Sequence, residues 1–207
     1  MAIYATVDEL RDHINKTDGV DDATLQRLLN AASRYIDRKT NRPDGFVADS
    51  TATARVYVGS GKEYQFIDEC IAITKVAVKT GVSEDDYTEW DSTDWQAFTG
   101  DPRRPIFNQL PYTGLLVTAG GNYGQFTSGM GIYPTVQVTA KWGYSEECPD
   151  IIRTATIMVA TRWWGRLQSG MSDGVGNVEF GFVLMRQPID PDIEGLLRMG
   201  RLIRPVI

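Results

Sequence analysis

The sequence predicts an α+β protein: a small helical core interrupted by an inserted antiparallel β domain and followed by an extended C-terminal arm. Three observations carry that expectation. Residues 7–40 repeat apolar side chains at helical spacing, residues 52–144 alternate with a period of two, and helical spacing returns over 149–167. Each helical part has an apolar face that cannot stay in water, so the two are expected to pack on each other across the insertion. The resulting division is 1–50 for the N-terminal part of the core, 51–145 for the β domain, 146–170 for the core helix, and 171–207 for a linker, short helix and arm.

Thr6 followed by Glu9 reads as a capping box opening a helix over Val7 to Lys16, which Thr17-Asp18-Gly19 stops. Asp21 or Asp22 caps a second helix to Thr40. There Leu25, Leu28, Leu29, Ala32, Tyr35 and Ile36 share one arc, while Gln26, Asn30, Ser33, Arg34 and Asp37 form a wet face. In the β block, Val56 and Val58, Ile71 and Ile73, Val76 and Val78, and Val136 to Trp142 alternate with Thr, Lys and Gln, and are expected to point inward. The Gly-rich stretch Gly120 to Gly131 reads as a mobile hairpin tip, and Gly59-Ser60-Gly61-Lys62 as a β-turn.

Pro149 opens the third helix, to Leu167. Ile151, Ile152, Ala155, Met158, Val159 and Trp163 make one wide apolar stripe, and Ile157, Ala160 and Trp164 a second on nearly the opposite side. One cover is expected to be the second helix. The other is the β block or a neighbouring subunit, which makes Ile157, Ala160 and Trp164 candidate interface residues. A Gly-rich linker, 170–176, leads to an apolar stretch at 180–185, and Asp190-Pro191 caps a last helix to Met199. The tail holds Arg198, Arg201, Leu202, Ile203, Arg204, Pro205, Val206 and Ile207. Arginines pair with partner carboxylates while aliphatics fill grooves, so the tail reads as a docking arm.

Function is constrained as much by what is missing. The chain has 207 residues, 42% of them hydrophobic, enough for one large or two small domains with a sizeable core. Its formal charge of −6 argues against gripping the nucleic-acid backbone but suits a wall that DNA slides past. Cys70 and Cys148 form no CxxC pair and read as buried hydrophobes in a reducing compartment. The start MAIYATVDEL lacks signal-peptide features, and no run nears the ~20 apolar residues of a membrane span. The single histidine, His13, has no partners for zinc or for a Ser-His-Asp arrangement. No phosphate loop is present. No catalytic residue, cofactor or metal is therefore expected, and the chain is read as a non-enzyme. The best enzyme-like signal is the acidic run Glu84, Asp85, Asp86, Glu89, Asp91 and Asp94, interleaved with Tyr87, Trp90 and Trp95. Carboxylates beside tryptophans are the equipment of sugar binding or hydrolysis. The plainer reading is a solvated acidic loop pinned by its aromatics.

The text YATVDELRDHI followed by DDATLQRLLNAASRYIDRKTNR, with the junction VTAKWGY and CPDIIRTATIMVATRWW, resembles tailed-bacteriophage head–tail connector proteins, also called adaptor or head-completion proteins. The likeness spans the first ~45 residues and Val136 to Leu167, and more loosely Asp190 to Met199; the β block departs from the short helical members. The resemblance implies a virion protein of the phage neck, made in the host cytoplasm, forming a ring of about twelve identical subunits beneath the portal. DNA passes through the ring without sequence-specific binding, and a tail-side neck or stopper protein binds below. It also implies that the arm, Arg198 to Ile207 here, embraces the portal. Two rivals stand beside this: a tail-side stopper or terminator ring, expected to be mainly β, and a carbohydrate-binding or hydrolytic virion component using Trp90 and Trp95.

Overall fold

A computed structural model describes residues 2–168, 191–200 and 202–203. The chain is α+β and divides into two compact units. Residues 1–45 and 148–207 form a helical unit, and Phe46–Glu147 a β unit. The Gly-rich linker 170–176 and the apolar stretch 180–185 lie outside the described residues.

In the helical unit, Thr6 and Glu9 form the full capping box of α1, Val7–His13. The helix is a turn shorter than its pattern predicts, because the chain enters the left-handed region at Asn15. α2 is Asp22–Lys39. Asp21 occupies its N-cap without capping it; that carboxylate instead meets the Lys16 ammonium at 3.0 Å. Leu25, Leu29, Ala32 and Ile36 of α2 are fully buried, as their spacing predicts. α3, Asp150–Gln168, packs on α1, α2 and the short α4, Pro191–Met199. This chain's own helices therefore cover part of its second apolar side, including Ala160.

Ahead of α1, Tyr4 is buried and ties into the wet side of α2. Its N–H donates to Ser33 Oγ (3.2 Å), its hydroxyl donates to Asp37 Oδ1, and Arg34 reaches Asp37 Oδ2 at 3.2 Å. Ser33 and Asp37, expected on the solvated face, are buried by this N-terminal segment.

The β unit is a six-stranded antiparallel sheet: β1 Thr53–Val58, β2 Tyr64–Val78, β3 Thr88–Glu89, β4 Trp95–Phe98, β5 Tyr112–Val117 and β6 Pro134–Trp142. The order is β1-β6-β2-β5-β4, with β3 also paired to β2. Consecutive strands are therefore not always neighbours. Residues 59–63 carry the chain from β1 past β6 to β2, and 118–133 carry it from β5 past β2 to β6. The Gly120–Gly131 stretch is thus a crossover, not a hairpin tip. Its middle is anchored: Phe126 is fully buried, and its N–H donates to the Lys62 carbonyl at 2.9 Å.

β1 faces opposite to the expected way. Tyr57 pairs with Val136, Arg55 with Val138 and Thr53 with Ala140, so these three share the face of fully buried residues. Val56 and Val58 point out and are 52% and 39% exposed. Polar partners make the inward arginine tolerable: Arg55 pairs with Asp68 at 2.9 Å and lies 4.6 Å over the Trp142 ring. Tyr57 donates to the same carboxylate at 3.0 Å, and burial pushes its phenol well above the ordinary range.

The ends of the β unit are joined to each other. Val47 bridges Ser145 in parallel. The Ala48 N–H donates to the Ser145 carbonyl (2.8 Å), the Ser145 N–H to the Phe46 carbonyl (3.0 Å), and the Asp49 N–H to the Trp142 carbonyl (2.8 Å). Gly143 permits this closeness. It adopts φ +139, and a Cβ there would lie 2.4 Å from Ala48 Cα.

Two predictions follow from this packing. Gly143→Ala should lower the stability of the β unit by about 1–3 kcal/mol or more, read from denaturant midpoints; an unchanged midpoint would show that the two chain ends need not lie so close. Burial raises the Asp37 carboxyl above its ordinary value, against the pull of Tyr4 and Arg34. The native state then holds that proton more tightly than the unfolded chain does. Asp37's contribution is accordingly greatest below the ordinary carboxylate range and is lost as pH rises through the raised value. Asp37→Asn, which keeps the Tyr4 bond, should flatten the stability–pH curve above about pH 4. Thermal melts across pH test this, and an identical slope in both proteins would overturn it.

Candidate functional site

Of the three interface candidates on α3, Ala160 is fully buried inside the helical unit and is not available to a neighbour. The reason is local: Ile152, Ala155, Thr156, Val159 and Ala160 form the buried side that the other helices cover. Ile157 and Trp164 are half-buried. Trp164 lies where the α1–α2 connection passes, with the Lys16 ammonium 6.0 Å from its ring centre. Lys16 also meets Asp18 at 2.9 Å, and its pKa is raised chiefly by Asp18 and then by Asp21. Tyr35 and Trp163 make an edge contact at 5.8 Å, fixing α3 on α2.

Arg198 and Leu202, both expected in the arm, make contacts within the helical unit. Arg198, at the end of α4, is committed to Glu194 one turn back, with Nη2–Oε1 at 2.6 Å. Leu202 is only 3% exposed, and its N–H donates to the Leu197 carbonyl at 3.1 Å. A Cβ on Gly200 would lie within 3.3 Å of both Leu202 and Ile151, so the end of α4 folds back over the start of α3. Leu202 is therefore an anchor for its own helical unit and not for a partner. Ile203 is exposed, while Arg201, Arg204, Pro205, Val206 and Ile207 lie outside the described residues.

The acidic, tryptophan-bearing run does not build a sugar platform around Trp90. That ring is 5% exposed, stacked on Tyr123 at 4.2 Å and on Phe126 at 5.0 Å, so its faces are occupied. Asp94 is buried, and its carboxylate accepts the Asn122 N–H at 2.8 Å. Trp95 is half-buried against the sheet core. Glu84, Asp85 and Asp86 remain exposed. The loop is thus a solvated acidic turn pinned by its aromatics to the 118–133 crossover. Among the described residues no group of His, Cys, Asp or Glu is placed to hold a metal ion. Both cysteines are free thiols; burial pushes Cys70 up to about 12 and Cys148 up to about 11, so both stay protonated near neutrality.

A feature the sequence reading passed over lies at the C-terminal end of α2. Arg34, Asp37, Arg38, Asn41, Arg42 and Pro43 line a cleft of about 440 Å³. Arg34 and Arg38 stand one turn apart on α2, and Arg42 follows just past its C-cap Thr40. Their number there suits the negative end of the helix dipole, but the cleft gives them a shared concavity. Arg38 is exposed, and its guanidinium has no side-chain partner among the described residues. The spacing was visible in the sequence; that the flank is concave was not.

No helix among the described residues is long and apolar enough to cross a membrane. No protein-family model matches the chain, and no curated protein matches it. A solved structure does. A chain from "Virion of native gene transfer agent (GTA) particle" is similar with a TM-score of 0.52 and 17% identity, over 97% of this chain and 90% of that chain. At that identity the likeness is one of fold, and it takes in both units: the helical unit and the β unit together have a counterpart in a virion chain.

Proposed function

We propose that this protein is a structural component of a tailed-phage-like virion, and specifically a head–tail connector that forms a ring beneath the portal. The single observation that carries the reading is the shared fold with a chain of a gene transfer agent virion, over nearly the full length of both chains. The connector assignment adds the resemblance of the helical sequences to that family. It is favoured over a stopper or terminator by the helical pair α1 and α2, which a mainly β protein would lack. The sugar-binding alternative loses its support with Trp90, whose faces are covered.

The mechanism is geometric. A ring of identical copies bridges the portal to a tail-side protein and continues the conduit for DNA, without bond chemistry. A net charge of −6 lets the wall repel phosphate, so DNA moves through without being held. Ile157 and Trp164 stay as candidates for subunit contact. The portal joint falls to the chain beyond Leu202, where Ile203, Arg204, Pro205, Val206 and Ile207 combine aliphatic and cationic groups.

The test is the full chain mixed with purified portal, imaged at low resolution and sedimented. A ring seated on the portal is the expected result; a lone compact particle that ignores portal at high concentration would overturn the reading. Truncation after Ile203 keeps Leu202 in the helical unit, so the melting temperature should be unchanged. Portal attachment should weaken at least about tenfold. Undiminished attachment would remove the arm from the joint while leaving the ring intact.

A further inference from the structure

We propose that neighbouring copies dock head to tail through charge, the arginine cleft at the end of α2 receiving the exposed acidic turn Glu84–Asp86 of the next copy. The inference rests on the ring reading and names the contact that such a ring would use.

The charge of this chain is divided very unevenly between its units. Residues 46–147 hold 13 Asp and Glu against 7 Lys and Arg, while residues 1–45 with 148–207 hold 14 of each. The whole net charge of −6 thus belongs to the β unit, and the helical unit is neutral. Two copies meeting β unit to β unit would set like charges against each other, which costs association. A β unit meeting a helical unit does not carry that penalty. Such a contact uses two different surfaces, and a heterologous contact of that kind forms a ring when its rotation closes.

Within those units, two local surfaces are complementary. The cleft collects Arg34, Arg38 and Arg42 around the single carboxylate of Asp37, which Arg34 already engages. Arg38 is left as an exposed cation on the rim of that concavity. Arg38 offers a planar fork suited to a carboxylate, with no side-chain partner among the described residues. On the other side, Glu84, Asp85 and Asp86 are exposed on the 79–87 connection between β2 and β3. The Asp85 and Asp86 carboxylates have no partner among the described residues. Elsewhere on the same run, Glu89 is engaged by Lys75 at 2.7 Å and Asp94 is buried, so the turn at 84–86 is the part left to a partner. A cleft of about 440 Å³ admits a turn of two or three side chains and not a folded element.

The experiment uses the full chain under the conditions in which the wild type assembles, with portal supplied if needed, and reads particle size by sedimentation. Arg38→Glu spoils the cleft and keeps the turn; Asp85→Lys with Asp86→Lys spoils the turn and keeps the cleft. Each should raise the concentration for half-assembly at least about tenfold, with unchanged circular dichroism because all three side chains are exposed. Should Arg38→Glu fail to fold, Arg38→Gln gives the same test at smaller amplitude. Mixed one to one, the two charge-reversed proteins should assemble again, since each spoiled cleft meets a spoiled turn of opposite charge and each intact cleft an intact turn. Rings in either variant alone at the wild-type concentration, or no recovery in the mixture, would overturn the inference while leaving the connector reading in place. A wild type that never assembles would instead remove the connector reading itself. If Arg38→Glu leaves assembly unchanged and lowers retention of duplex DNA at low salt, the cleft takes phosphate and the proposal is also overturned.

Discussion

The structure depends on a β unit that returns the chain to the place where it left. The helical unit is made of two stretches separated by residues 46–147, and α3 must find α2 across that interval. An unstructured loop of such length would oppose the meeting by the entropy of closing it. Here the interval closes itself. Phe46 to Asp49 and Trp142 to Ser145 are joined by backbone bonds, with Gly143 letting the two chains approach to within a distance that no side chain tolerates. Once the β unit is folded, the C-terminal half of the helical core is delivered beside the N-terminal half. A close backbone approach within the insertion therefore serves the core outside it.

That arrangement changes what the third helix means. A helix apolar on two sides argues for two covers, and a neighbouring copy is one way to supply the second. The helical unit supplies part of it internally, through α1 and the folded-back end of α4 with Leu202. Ala160 goes into that core, and Leu202 leaves the arm for the same reason. The described helical surface still offers a partner both apolar groups, Ile151, Leu167, Met199 and Ile203 among them, and the charge of the arginines at the end of α2.

The legible parts of the fold were those fixed by local chemistry. The Thr6–Glu9 capping box, the buried arc of α2 and the proline-led start of α3 each depend on neighbours a few residues away, and each can be read from spacing alone. The misread parts depend on partners far along the chain. Whether Val56 or Tyr57 faces inward is decided by the register of β1 against β6, and a shift of one residue reverses every side chain. The strand order that turns 120–131 into a crossover has no local signature either, although Phe126 and Tyr123 in a Gly-rich stretch hinted at an anchor. Ser33 and Asp37 looked solvated because Tyr4, which covers them, is about thirty residues away in sequence. At the candidate surfaces the same division holds. The arginines at 34, 38 and 42 were plain, and the sequence alone could not separate a solvated flank from the wall of a cleft.

An assembly contact built on charge has physical consequences that an oily one lacks. Apolar interfaces large enough to hold a ring leave the free subunit prone to indiscriminate sticking, because greasy surface does not discriminate between partners. A cleft of arginines and an acidic turn would discriminate by sign: the β units carry like net charge, and the turn would be drawn to the arginines of the neutral helical unit. Individual exposed ion pairs contribute little, about 0–1 kcal/mol each, so a single contact is weak and its repetition around a closed ring is what accumulates. A protein joined by such contacts would stay dispersed as single copies at low concentration and assemble where copies are gathered by a template. For a connector, that template would be the portal, and the weakness of each separate contact would be what ties ring closure to the right place.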